Sequence, residues 1–227
     1  EPADGSKERL SKAYRVAQYG FGAAAAVTFA IPDRTLKTML ATKWGGAAGF
    51  GMASGLCSIL KGANDSNRLS SDTYKRLNLG LLAFCALGLA AVPGEAGFAH
   101  RASTAKILSA TLTLIKLYGA IVALKGWMRG VSVEKPSQFI EELALGATAT
   151  LQGLRVQKRL KAMTYRNCLL LVCMGTISSF MEGIFLMRYQ QAFTKTGFDI
   201  SLQWSAVARL CMIASVIYSL KDAAERD

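Results

Sequence analysis

Three charged side chains interrupt runs that are otherwise free of charge: Lys116 within Ile107–Leu124, Glu182 within Asn167–Met187 and Arg209 within Ile200–Leu220. A charge inside such a run is costly in lipid and ordinarily faces protein or water. Two chemistries follow. The three groups can line a polar pathway or ligand site for a small solute. Alternatively they are structural, with Glu182 paired to Arg209 or Lys116, or with the long cations snorkelling to a membrane surface. Glu182 stands near the end of its run and close to Arg188, which favours the structural alternative.

The chain has one histidine, His100, in a loop that follows Pro93-Gly94-Glu95. One imidazole builds neither a zinc site nor a haem pair without further ligands, so no metal site is expected. Glu95 and His100 are similar to the Glu-x-x-x-x-His of light-harvesting helices, but Arg101 follows directly and the segment reads as a turn. Chlorophyll accepts weaker axial ligands. That makes His100, Asn78, Gln18 and Asn167 the candidate pigment ligands, the last three near helix starts. The five cysteines, Cys57, Cys85, Cys168, Cys173 and Cys211, lack metal-ligand spacing and read as small core residues. There is no GxSxG, P-loop, GxGxxG or HExxH, so an enzyme is not expected.

The elements that must position these residues follow from a pattern that occurs three times. Tyr14-Arg15, Tyr74-Lys75 and Tyr165-Arg166 each open an apolar stretch. Leu60-Lys61, Leu124-Lys125 and Leu220-Lys221 each close the next one. The spacing predicts three helical hairpins, 14–61, 74–125 and 165–221, in one all-α membrane domain of about six transmembrane helices. Val16–Pro32 and Trp44–Leu60 are the shortest runs, 17 residues each and rich in Ala and Gly. Four spans with interfacial helices is therefore the alternative.

The register carries more detail. Trp44 and Trp204 each precede their closing Lys by 17 positions, which puts them at the far interface, with Tyr14, Tyr74 and Tyr165 at the near one. Gly55, Gly119 and Ser215 each stand six positions before a closing Lys. Together with Gly45-x-x-x-Gly49 and Gly51-x-x-x-Gly55 they are the expected helix-packing positions. That packing serves either this bundle or another subunit. Between the second and third hairpins, Ile140, Leu143, Ala147, Leu151 and Leu154 recur at helical spacing after Ser137. They predict an amphipathic surface helix over about 137–161.

Charge fixes orientation. Of 27 Lys and Arg, 18 fall on the side that carries both termini, in a chain with net charge +12. By the positive-inside rule the termini face cytosol, stroma or matrix. The excess also suits anionic lipid. It does not suit nucleic acid, because the charges flank spans and form no separate basic domain. The chain starts at Glu1 rather than Met, which leads to the expectation of a removed targeting peptide and an organellar membrane, a plastid thylakoid foremost. The expected role is a structural subunit of a larger complex, such as a photosystem–light-harvesting assembly, with other membrane subunits and lipids as partners. Chlorophyll or carotenoid would then be the cofactors.

Asp4-Gly5, the basic stretch Lys7–Arg15, Gln18-Tyr19 and the late Ile177-Ser178-Ser179 resemble the peroxisomal membrane-proliferation proteins, the peroxin-eleven family. That resemblance implies membrane remodelling by an amphipathic N-terminal segment. A small-solute transporter using Lys116, Glu182 and Arg209 is the remaining class.

Overall fold

A computed structural model describes residues 2–30, 40–90, 103–131, 160–189 and 197–226, and all of its elements are helical. In chain order these are α1 (Pro2–Ala30), α2 (Leu40–Asp65), α3 (Asp72–Ala90), α4 (Ser103–Val131), α5 (Leu160–Tyr189) and α6 (Gly197–Arg226). The stretch around 137–159 expected to hold a surface helix, and the loop with His100, lie outside the described residues.

Sequence neighbours pack on each other: α1 on α2, α3 on α4, and α5 on α6. The hairpins are joined side by side. Helix α3 holds the centre, packing on α4 and α6 and touching α2, while α4 also meets α1. Helix α5 is the outlying element and packs chiefly on α6.

The turn between the first two hairpins is built from local chemistry. Asn67 adopts a left-handed backbone with φ of 56°. The N–H of Arg68 then donates to the carbonyl of Ala63 at 2.8 Å, and that of Asn67 to Asn64 at 3.1 Å. This pairing closes the C-terminus of α2, and asparagine is one of the few side chains that tolerate the conformation. The N–H groups of Tyr74 and Lys75 both reach the carbonyl of Ser71, which starts α3. Gly130 lets α4 lie on this turn, since a side-chain carbon there would come within 2.6 Å of the Leu69 carbonyl oxygen.

The core is aromatic at the junction of three helices. Phe21 of α1, Phe50 of α2 and Phe84 of α3 have ring centroids 6.0 to 6.3 Å apart. Gly119 of α4 admits the Phe21 ring, which a side chain at 119 would strike at 2.4 Å. The bundle also shows large apolar side chains outward, among them Val16, Ile59, Leu114, Leu171, Met174 and Ile177. Soluble monomers rarely carry apolar surface on this scale.

Among the described residues, two helices are long and apolar enough to cross a membrane, over Ile107–Val131 in α4 and Gln203–Glu225 in α6. The sequence led to an expectation of six such spans. The physical reason for the difference is clearest in the first hairpin, whose helices substitute Ala and Gly for Leu and Ile and carry charges at their ends. At 29 and 26 residues they are long enough, and it is composition that falls short.

Candidate functional site

The three charged residues of the apolar runs occupy three separate places. Lys116 of α4 is buried, and its Nζ donates to the carbonyl of Gly88 in α3 at 3.2 Å. Its aliphatic stem lies over Gly88, where a side chain would meet Cδ at 3.3 Å. A backbone carbonyl is a sound partner for a buried ammonium that has no carboxylate beside it among the described residues. Glu182 is exposed on α5. No ion pair joins it to Arg209 or Lys116 among the described residues. The expected structural pairs are thus not formed, and the three do not line a common path.

Arg209 has the more distinctive setting. It reaches from α6 across to α2 and lies in the cradle of Gly45-x-x-x-Gly49. A side-chain carbon at Gly45 would stand 3.5 Å from its Cζ, and one at Gly49 would stand 3.1 Å from its Cγ and Cδ. The guanidinium lines a cavity of about 300 Å³ between the two helices, with Gly45, Ala48, Gly49, Met52, Ala206 and Leu210 among its neighbours. Among the described residues of that lining, Arg209 is the only charged one. Among the described residues it has no hydrogen bond and no ion pair.

The glycine positions divide by role. Gly119 admits Phe21, and Ser215 lies so close to Gly80 that a side chain at 80 would overlap it. Both are close-approach positions. Gly45 and Gly49 pack inside the bundle, on Arg209. Gly51 and Gly55 meet no neighbour among the described residues, with nothing within 4 Å of the space above either.

The candidate pigment ligands are not brought together. Asn78 is fully buried on α3, with its Oδ1 accepting from Tyr14 at 2.6 Å and its Nδ2 donating to the Tyr74 carbonyl at 3.1 Å. Its oxygen is thereby engaged within the bundle. Asn167 is exposed on α5, where it accepts from Arg166 at 3.3 Å. Gln18 is half-buried on α1, and its carbonyl receives Ser54 at 2.8 Å. His100 lies outside the described residues. Tyr14, expected at a lipid interface, is also fully buried. Cys57 and Cys85 are core residues as expected, whereas Cys168 is exposed.

Sequence reasoning missed two polar assemblies. One is the Tyr14–Asn78 bond with Gly126 over it, where a side chain would overlap the Tyr14 hydroxyl and approach Asn78 Oδ1 to 2.9 Å. The signal was present as an asparagine in an apolar run. The other ties α3 to the end of α6. Arg76 pairs with Asp222 and stacks over Tyr218 at 4.3 Å. The buried Lys221 reaches Asp222 at 3.2 Å and Glu225 at 3.0 Å. Here the signal was the Lys-Asp-x-x-Glu spacing itself, an i,i+4 pair that follows the closing Leu. Against known proteins, the chain matches no family model, no curated protein and no solved structure.

Proposed function

We propose that this chain is a non-catalytic helical subunit of an organellar membrane, which holds a larger assembly together through its outer helix faces. The observation that carries the reading is the outward stripe of α2. Gly51, Gly55 and Gly62 are exposed with open space above them, and Ala48 and Ser58 are exposed on the same side. At about 100° per residue these positions share one face. Trp44 and Ile59 flank it, both exposed. In lipid, small residues in this arrangement let a second helix approach closely enough for extended van der Waals contact. The occupant is a transmembrane helix of another subunit.

The large apolar residues of α5 support the membrane setting. Leu170, Leu171, Met174, Ile177, Met181 and Ile184 are exposed over about half of the helix circumference. Acyl chains satisfy such a surface without further specificity.

The membrane-shaping alternative is less well supported. It requires the apolar face of residues 1–20 to meet lipid. Leu10, Tyr14 and Ala17 of that face are buried in the bundle, and Asn64 of α2 donates to the Lys7 carbonyl at 2.9 Å. Transport through Lys116, Glu182 and Arg209 would need a shared path.

The test is gentle detergent extraction followed by native separation, mass spectrometry and an absorption spectrum of the band. Co-migration with a larger complex is the expected result, and pigment in the band would identify a plastid photosystem assembly. Leu at both Gly51 and Gly55 should abolish co-migration while leaving the chain folded, because neither position has a neighbour to displace. A monomeric wild-type band would overturn the proposal.

A further inference from the structure

We propose that the cavity between α2 and α6 seats the anionic headgroup of an acidic membrane lipid against Arg209. The inference rests on the membrane reading above and adds a ligand site to it. A half-buried guanidinium lined by apolar groups, with no hydrogen-bond partner among the described residues, is a costly arrangement unless something neutralises it. Phosphate, sulfonate and carboxylate all supply a negative charge and paired acceptor oxygens that match the planar fork. The described chain supplies no acid. Gly45 and Gly49 leave the guanidinium accessible by providing no side chains over it.

Position favours a lipid over a free anion. Arg209 is five residues past Trp204 and twelve before Lys221. It therefore lies about 7.5 Å from the level of the tryptophan and about 18 Å from that of the lysine. Tryptophan marks the headgroup zone, so the guanidinium is within snorkelling distance of one interface. The cavity opens outward, since Ala48 and Met52 of its lining are exposed while Met212 is buried. A headgroup can thus enter from the bilayer with its acyl chain left along the apolar outer wall. The volume of about 300 Å³ suits a headgroup rather than a large solute.

The experiment uses the full chain reconstituted in vesicles of phosphatidylcholine with a minor fraction of phosphatidylglycerol. After mild extraction, native mass spectrometry counts the lipid that stays bound. Flotation with pure phosphatidylcholine vesicles tests the membrane reading separately, because it does not depend on Arg209. For wild type we expect retained phosphatidylglycerol enriched about tenfold over Arg209→Gln, the range of one charge-assisted contact. Ala48→Phe narrows the mouth of the cavity without touching the charge and should lower retention similarly. It keeps the test valid if Arg209→Gln fails to fold. Equal retention of the two lipids by wild type, or retention unchanged in both variants, overturns the site. Displacement of the lipid by millimolar inorganic phosphate would assign the cavity to a free anion and overturn the lipid assignment.

Discussion

The hydroxyl of Tyr14 donates to Oδ1 of Asn78 at 2.6 Å, across 64 residues of sequence and between two helices that belong to different hairpins. Both side chains are fully buried. The bond links the first hairpin to the central helix, and its satisfaction is what makes a buried asparagine tolerable there. Tyr14→Phe leaves the Asn78 oxygen without this donor and should cost about 1–3 kcal/mol. Thermal unfolding in detergent measures it. The double variant with Asn78→Leu should cost less than the sum of the single changes, because the second substitution removes the orphaned acceptor. Strict additivity would show that the two groups do not interact.

Gly126 and Gly51 are both helical glycines, yet Ala should act on them with opposite signs. Gly→Ala within an exposed helix ordinarily stabilises by about 1 kcal/mol. Gly51 has nothing within 4 Å, so Gly51→Ala should raise the melting temperature of the isolated chain. A carbon at Gly126 would overlap the Tyr14 hydroxyl. Gly126→Ala should therefore lower the melting temperature by more than Tyr14→Phe does. Adding Tyr14→Phe to it should recover part of the loss.

These contrasts mark the limit of what the sequence makes legible. Charge-free runs bounded by Tyr-basic and Leu-Lys were enough to place helices, because burial period and terminal charge are local properties. Which glycine meets which neighbour is not local. Gly49 and Gly51 differ by two positions and hence by more than half a turn, and only the placement of α6 decides that one cradles Arg209 while the other faces outward. The same holds for Asn78, whose partner comes from another hairpin. Side-chain pairing between spans was illegible for a further reason. A glutamate and an arginine in neighbouring runs suggest a pair, but Glu182 is exposed on α5 while Arg209 lies against Gly45 and Gly49 of α2.

Asp65 provides a pH test outside the apolar segments. Its hydrogen bond from Lys61, at 2.8 Å, and another from the Ser11 hydroxyl hold its carboxyl below the ordinary value of 3.8. A depressed folded pKa means that this contribution is present above 3.8 and is lost as pH falls through the folded value. The group is largely exposed, so the effect is small and screened by salt. Asp65→Asn should give up that small contribution at neutral pH and so flatten the acid-side loss of stability that begins below about pH 3.8. An acid limb identical in both proteins would assign the loss to other carboxylates.

Trp44 and Trp204 carry a test of hairpin orientation. Each stands edge-on to a phenylalanine of the preceding helix, Phe29 at 4.9 Å and Phe180 at 5.4 Å between ring centroids. Each phenylalanine also lies 15 residues after its opening tyrosine, Tyr14 or Tyr165. The first and third hairpins thus repeat the same aromatic clasp in the same register. If both cross the bilayer in parallel, the two tryptophans lie at equal depth near one headgroup layer, about 26 Å from their closing lysines. Variants that retain only Trp44 or only Trp204 should then be quenched to the same extent by lipids brominated near the headgroup, and much less by lipids brominated at the chain ends. An aqueous quencher should reach both from the same side of a sealed vesicle. Opposite sidedness would require the two hairpins to be inverted relative to each other.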